Sequence, residues 1–249
     1  MKIIGMIPAR MGSSRFPGKP LAELLGRPMI EHVFKRVAMS EILSDVFIAT
    51  CDEEIRSATE SFGGKAVMTS DKHERASDRI AEAAKDMDAH VVVMIQGDEP
   101  MTHPDMIGEA VAPFLTSPEV QCVNLTKRID DIDEYRNPNT IKVVTDRSGD
   151  ALYFSRAPIP YTAGDGIDQS APYKQVCVIP FLSQALRKFS QLEPTPLEIA
   201  ESVDMMRFLE HGVPVRMVET RHHTHAVDTP EDLALVEKLM GGDPLNESY

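Results

Sequence analysis

Apolar positions in the first half of this chain fall into short runs, each followed by a stretch with helical spacing. KIIGMIP (residues 2–8) reads as a buried strand. In PMIEHVFKRVAM (28–39), Met29, Ile30, Val33, Phe34 and Val37 recur at helical intervals, with Pro28 at a tolerated first-turn position. DVFIATC (45–51) is a β-branched strand, EEIRSATESFG (53–63) a helix stopped by glycine, and AVMTS (66–70) another strand. SDRIAEAAKDM (77–87) predicts a helix capped by Ser77 or Asp78, and HVVVMIQGDEP (90–100) is the most continuous apolar strand, breaking into a polar turn. The alternation predicts a parallel sheet covered by helices, with right-handed crossovers.

Past residue 120 the rhythm changes. QCVNLTKRI (121–129), TIKVVTD (140–146) and ALYFSR (151–156) read as strands joined by turns, which favours antiparallel pairing. YTAGDGIDQSAPYK (161–174) is rich in Gly, Pro and polar residues and reads as a mobile loop. QVCVIPF (175–181) predicts one strand, SQALRKFSQL (183–192) a helix, and PLEIAESVDMMRFLEHG (196–212) a single second helix stopped by Gly212. VPVRMVET (213–220) is a strand, TPEDLALVEKLM (229–240) a helix capped by Thr229, and GGDPLNESY (241–249) a frayed tail. No linker or internal repeat divides the chain, which points to one α/β domain over 1–249.

Composition narrows the function classes. The chain has 39 acidic and 26 basic residues, a formal charge of −13, and no basic tract, which argues against nucleic acid as a partner. No apolar run reaches the ~20 residues of a membrane helix, and the N-terminal run is shorter than a signal peptide's apolar region. Three scattered cysteines (Cys51, Cys122, Cys177) fit neither a disulfide framework nor a zinc site and suggest a reducing, cytoplasmic setting.

Against that acidity, IPARMGSSRFPGKP (7–20) concentrates Arg10, Arg15 and Lys19 with Gly12 and Gly18 in one loop after the first strand. Ligands of open α/β sheets bind beyond the carboxyl ends of the strands, where backbone amides and cations meet an anion. The spacing matches neither the phosphate-loop nor the dinucleotide pattern, so a basic surface loop is the competing reading. QGDEP (96–100) places Gln96, Asp98 and Glu99 at the end of the strongest strand. A carboxylate there suits Mg²⁺, a hard cation held by one or two carboxylates plus phosphate oxygens, although a solvated turn would look the same. Asp228, in AVDTPED, is a second candidate ligand or an ordinary helix entry. RHHTHAVD (221–228) puts His223 and His225 on one face of an expected strand, more readily an exposed edge than a metal cluster. His73 and His103 read as surface residues, and the fourteen methionines as core filler, with Met205 and Met206 the exceptions.

Taken in order, IPAR-GSSR-PGKPL, GRPMIEHV, QGDEPM, NPN-IKVV, ALYFSR-PIP and VDTPEDL closely resemble the 3-deoxy-manno-octulosonate (Kdo) cytidylyltransferase family over nearly the whole chain. The resemblance implies a Rossmann-like nucleotidyltransferase fold, similar to the GT-A type, with an antiparallel dimerisation and sugar-side subdomain at about residues 120–190. It implies transfer of CMP from CTP to an acidic sugar with release of pyrophosphate, using Mg²⁺, by a homodimer. By matching position, Pro8, Ala9, Arg10, Gly12, Ser13, Arg15, Lys19, Arg75, Ala76, Ser77, Gln96 and Asp98 would hold the nucleotide. Among these Arg10, Lys19 and Asp98 would be catalytic. Asp98 and Asp228 would hold the metal, and Gln96, Arg156, Gln175, Ile179, Asp204 and Met205 would face the sugar. No general base stands out, and phosphoryl transfer relies on positioning and electrostatics.

Three stretches depart from the family pattern. HERASDR (73–79) has Arg75 and Ala76 where the family carries a Ser-Gly pair against the base. QVCVI (175–179) has Gln175, Cys177 and Ile179 where the family has His, Gly and Tyr, and ESVDMMR (201–207) has Asp204 and Met205 in place of Glu-Gln. Polar groups that read hydroxyls set what a pocket accepts. Kdo and a different acidic acceptor therefore both stay open, as do another nucleotide or a sugar phosphate, and a catalytically weak nucleotide-binding homologue.

Overall fold

The structure, a computed structural model, describes residues 1–13, 15–162, 167 and 172–249. In chain order the elements are β1 (Ile3–Pro8), β2 (Glu23–Leu24), β3 (Arg27–Pro28), α1 (Met29–Ala38), β4 (Asp45–Thr50), α2 (Glu53–Ser61), β5 (Ala66–Met68), α3 (Ala76–Ala83), β6 (Val91–Ile95) and α4 (Pro104–Val111). They continue as α5 (Pro113–Thr116), β7 (Val123–Arg128), α6 (Ile132–Arg136), β8 (Lys142–Thr145), β9 (Ala151–Ser155), β10 (Tyr173–Val176), β11 (Val178–Leu182), α7 (Ser183–Phe189), α8 (Pro196–Glu201), α9 (Met205–Glu210), β12 (Arg216–Glu219) and α10 (Pro230–Met240). The chain forms two compact units, Met1–Gly108 with His222–Tyr249, and Glu109–Arg221.

In the first unit β1 pairs in parallel with β4 and β6, and β4 with β5. Every residue of β1 and β6 is buried, as expected of central parallel strands with both faces covered. The connection leaving β1 leads to β4 on one side while β6 flanks β1 on the other, so the strand order reverses between β1 and β6, and such sheets open a crevice at the carboxyl ends of the strands there. A two-residue turn at Leu25 and Gly26, both at positive φ, closes the β2–β3 hairpin. α1 begins at Met29 with Pro28 as its N-cap, and buries Met29, Ile30, Val33, Phe34 and Val37.

In the second unit the strand order is β12-β7-β10-β8-β9. The pairs β7–β10, β10–β8 and β8–β9 are antiparallel, and β12 joins β7 in parallel. The expected strand 175–181 is broken at Cys177 into the ends of β10 and β11. The expected long helix over 196–212 is also broken, since Ser202 takes the left-handed conformation at φ 54° and separates α8 from α9. That kink turns Val203 inward to 2% exposure and lets its N–H reach the Glu198 carbonyl (3.3 Å). Across the break, Arg207 clamps Glu198 through Nε (2.8 Å) and a terminal nitrogen (2.7 Å), with both side chains buried. The short helices α4 and α6 had no expected counterpart. The expected loop at 161–174 lies mostly outside the described residues.

Two further expectations change. Helix α3 starts at Ala76 with Arg75 as N-cap, rather than with Ser77 or Asp78 in that role. Ser77 is wholly buried on the inner face of the helix and points its hydroxyl at the Met94 sulfur (3.9 Å), so it cannot serve a helix end. The 241–249 stretch is not frayed: Asp243 and Asn246 each accept a hydrogen bond from Arg36 (2.7 Å both), whose Nε also reaches the Tyr249 hydroxyl (3.0 Å).

Candidate active site

The loop after β1 is held from both sides. The Ala9 N–H donates to the Ala49 carbonyl (3.0 Å), and the Met11 N–H to the Asp52 carboxylate (2.7 Å) at the end of β4. Ser13 accepts from the Phe16 N–H (3.2 Å), and Phe16 packs against the buried cluster of Leu24, Met29, Val227, Val236 and Met240. An apolar anchor in a polar loop restricts where the neighbouring cations can go. Gly97 has a specific cause: a Cβ there would lie 2.7 Å from the Pro8 carbonyl oxygen, so only glycine lets the ends of β1 and β6 approach so closely.

Between these ends lies a cavity of about 290 Å³ lined by Pro8, Ala9, Arg10, Gly12, Ser13, Arg15, Lys19, His73, Glu74, Arg75, Ala76, Arg79, Gln96, Gly97, Asp98 and Asp228, with Pro20 completing the wall. Four segments far apart in sequence thus converge on one space. Lys19 is its electrostatic centre. Its ammonium donates to Asp98 (2.7 Å) and to the Val227 carbonyl (2.7 Å), and lies 3.6 Å from Asp228. Arg15 donates to the same Asp228 carboxylate (2.8 Å). The Val227 N–H donates to the Asp98 carbonyl (2.9 Å), joining the segments that carry the two acids.

Asp228 immediately precedes α10, and the capping is done by its neighbours. Thr229 accepts from the Asp232 N–H (3.2 Å), while Asp232 accepts from the N–H groups of Asp228 (3.0 Å) and Thr229 (2.9 Å). Burial opposes the charge on Asp232, but these hydrogen bonds outweigh it and hold its pKa below the usual 3.8. The helix entry is therefore satisfied without Asp228, whose carboxylate is left to the cations of the loop.

The two acids fit a magnesium ion. Each aims a hard oxygen at one point, and a cation, the Lys19 ammonium, already lies against both. Two carboxylates from separate segments, with the Gln96 side chain in the same wall, form the kind of oxygen donor set that Mg²⁺ uses alongside phosphate.

On the opposite wall, Arg79 is buried and donates to Thr69 Oγ1 (2.6 Å) and to the Ser70 and His73 carbonyls (both 3.3 Å), fixing the turn that presents Arg75 and Ala76. Arg79 and His73 line the cavity but were not among the residues expected there. Arg79 follows its neighbours at helical spacing like any surface arginine, and only burial reveals its task. Ser77 is absent from the lining.

Of the residues expected to face the sugar, Gln96 lines this cavity and the others belong to the second unit. Arg156 is tied to the Glu201 carbonyl through Nε (2.7 Å) and to the Pro138 carbonyl (2.9 Å). The Gln175 amide donates to Asn124 Oδ1 (2.6 Å), whose own amide donates to the Val176 carbonyl (2.8 Å). Asp204 is half-buried as the N-cap of α9. Ile179 and Met205 are buried to 2% and 1% exposure, and Met205 packs on Cys122 (3.8 Å), so both are core residues and present no surface to a ligand. Lys142, also unexpected, donates to the carbonyls of Asn137 (2.8 Å), Thr140 (2.5 Å) and Arg156 (2.7 Å), gathering the backbone around Arg156. Burial, with help from the nearby Arg156 charge, lowers its pKa to about 8. Residues 221–227 form no strand, and among the described residues no helix is long and apolar enough to cross a membrane.

The chain is similar to known proteins along nearly its whole length. The family model described as Cytidylyltransferase matches residues 4–220. The 3-deoxy-manno-octulosonate cytidylyltransferase of Geobacter metallireducens is 44% identical, with the match covering 96% of this chain and 98% of that protein. Its counterpart in Geobacter sulfurreducens is also 44% identical, over 96% of this chain and all of the relative (100%). Among solved structures, a CMP:2-keto-3-deoxy-manno-octonic acid synthetase complexed with CTP superposes with a TM-score of 0.88 at 37% identity, covering 97% of this chain and 99% of its own. A 4-diphosphocytidyl-2C-methyl-D-erythritol synthase from Anaerococcus prevotii, 14% identical with a TM-score of 0.67, shares the fold alone. The chain therefore belongs to the cytidylyltransferases, in the 3-deoxy-manno-octulosonate cytidylyltransferase family, and is a nucleotidyltransferase enzyme.

Proposed function

We propose that this protein transfers CMP from CTP to a 3-deoxy-2-ulosonic acid of the Kdo type, releasing pyrophosphate, with Mg²⁺ held by Asp98 and Asp228. The observation that carries this reading is the convergence of Arg10, Arg15 and Lys19 with Asp98 and Asp228 on one cavity, in a chain 44% identical to Kdo cytidylyltransferases. Arg10, Lys19 and the loop amides around Gly12 and Ser13 bind and orient the triphosphate. Arg75 and Ala76, opening α3, take the nucleoside side. A bound Mg²⁺ would supply positive charge against the phosphate oxygens as negative charge builds there. Lys19 adds a second positive charge from a wall already set, so little reorganisation accompanies the reaction.

Arg156 and Gln175 are assigned to the acceptor, Arg156 for its carboxylate and Gln175 for a hydroxyl, in a homodimeric enzyme of the cytoplasm. A second reading, a related acidic acceptor other than Kdo, is favoured by the Gln175–Asn124 amide pair, which stands where the family carries a histidine. Pyrophosphate release, measured with each of the four nucleoside triphosphates against Kdo and a panel of acidic sugars, tests both. Turnover of CTP with Kdo and loss of that turnover on chelation are expected. Turnover of another sugar acid in place of Kdo would install the second reading, and no turnover with any pair would leave a nucleotide-binding homologue.

A further inference from the structure

The 221–228 stretch was expected to be an exposed strand with His223 and His225 on one face, but it forms no strand, and it is His222 that meets a partner from elsewhere in the first unit. Its ring stacks on His103 with centroids 3.9 Å apart and planes 9° from parallel. Asp105 completes the group. Its Oδ2 lies 3.6 Å from His103 Nδ1 and 3.9 Å from His222 Nε2, and one ligand atom from each of the three residues falls within 4.8 Å of the others. Ligands about 2.0–2.1 Å from a tetrahedral zinc ion stand about 3.4 Å apart, so the three ligand atoms are near enough to share one ion. Coordination requires the two rings, which lie face to face, to turn about χ2 until a nitrogen lone pair of each points at the ion, and His103 Nδ1 to give up the Asp105 N–H that it accepts (3.2 Å) if that nitrogen is the ligand.

We propose that His103, Asp105 and His222 form a transition-metal site, selective for zinc-like ions over Mg²⁺, that clamps the 98–103 and 222–228 segments together. The donor set argues for selectivity. Two imidazoles and one carboxylate suit Zn²⁺, Co²⁺ or Ni²⁺, whereas Mg²⁺ keeps to oxygen. Three protein ligands also leave a position for water. Burial and the facing His222 lower the His103 pKa, which favours the neutral imidazole that binds metal. The remaining charged neighbours of His103, Asp243 and Arg36, are already paired with each other (2.7 Å).

The placement gives the site a consequence. The two segments it bridges carry Asp98 and Asp228, and they are already joined by the Val227–Asp98 backbone bond, by Thr224 donating to the Glu99 carboxylate, and by the Lys19 ammonium, which donates to both Asp98 and the Val227 carbonyl. A metal across His103 and His222 adds a further tie between them. Occupancy then stabilises the frame of the cavity without entering it.

The test uses the full chain, stripped with a chelator and titrated with Zn²⁺ in excess Mg²⁺. A single saturable equivalent per chain is expected, with a melting temperature that climbs with zinc concentration. Co²⁺ should give the visible bands of a low-coordinate nitrogen–oxygen site. His103→Ala, His222→Ala and Asp105→Asn should each weaken zinc binding by about tenfold or more, while the double variant His223→Ala/His225→Ala keeps it. Should His222→Ala fail to fold, His103→Gln carries the same expectation. The proposal is overturned by an absence of saturable zinc binding, by unchanged affinity in a His103/His222 double variant, or by loss confined to the His223/His225 variant.

Discussion

The two units of this chain treat charge in opposite ways. In the first, Lys19, Arg15, Asp98 and Asp228 meet at the wall of an open cavity, partly wetted and drawn from three separate segments. In the second, Glu198 and Arg207 close a bidentate pair only nine residues apart, sealed from water at 0% and 2% exposure. The first arrangement keeps its charges available to a ligand. The second spends them on the fold, because once buried each charge depends on its partner. Charge close to a cavity is therefore not interchangeable with charge in a core, even when the distances are the same 2.7 Å.

The sharpest way to break this contrast is to remove charge on each side and read both activity and stability. Lys19→Ala and Asp98→Asn should each lower kcat by about 10²–10³, the scale for losing one preorganised electrostatic group, with little change in melting temperature. Steady-state pyrophosphate release and a thermal melt on the same preparation check both halves. A variant with full activity would remove that residue from the site. In the second unit, Arg207→Ala should cost about 3–5 kcal/mol in denaturant unfolding, since it strands the buried Glu198 carboxylate. Glu198→Gln/Arg207→Met, which removes both charges, should recover much of that loss.

Lys142 refines the comparison, being a buried cation whose partners are all carbonyls. Its pKa of about 8 in the fold is below the ordinary 10.5, so above pH 8 the folded chain releases a proton that the unfolded chain still holds. Its contribution to stability is thus least below pH 8 and rises between about 8 and 10.5. Unfolding followed across that range should show the rise, and Lys142→Met should flatten it. The smallest effect concerns the helix entry beside Asp228. Thr229→Ala should cost about 1 kcal/mol through loss of the cap. Asp232 has the same pH sign as Lys142 but acts in the acid range: its lowered pKa stabilises the fold above about pH 3.8 and that share is lost as pH falls further, so Asp232→Asn should remove it from the acid limb of the stability curve.

The first unit was the more legible of the two from its residues. Unbroken apolar runs such as Val91–Ile95 announce central parallel strands, and a cluster of cations with glycines after the first strand announces an anion site. The second unit hid its breaks. Cys177 and Ser202 interrupt apolar patterns that run on smoothly in sequence, since periodicity records which faces are buried and not where the backbone turns. The same limit misplaced Ile179 and Met205: an apolar residue beside a family motif reads alike whether it faces a ligand or fills the core. At the tail, Gly and Pro suggested fraying, but Arg36 recruits Asp243, Asn246 and Tyr249 from more than two hundred residues away.

What the chain declares by itself is chemistry tied to local order: the parallel βα rhythm, the Thr229 cap, the cationic loop and the acids at strand ends, all of which depend on neighbours a few residues apart. Tertiary structure alone decides which of those groups meet. Lys19 reaches Asp98 and Asp228 across 79 and 209 positions, and the Gly97 contact with Pro8 that permits it is a matter of packing two strand ends. Residue type sets what a side chain can do, but distance and burial set what it does, and neither is written in spacing along the chain.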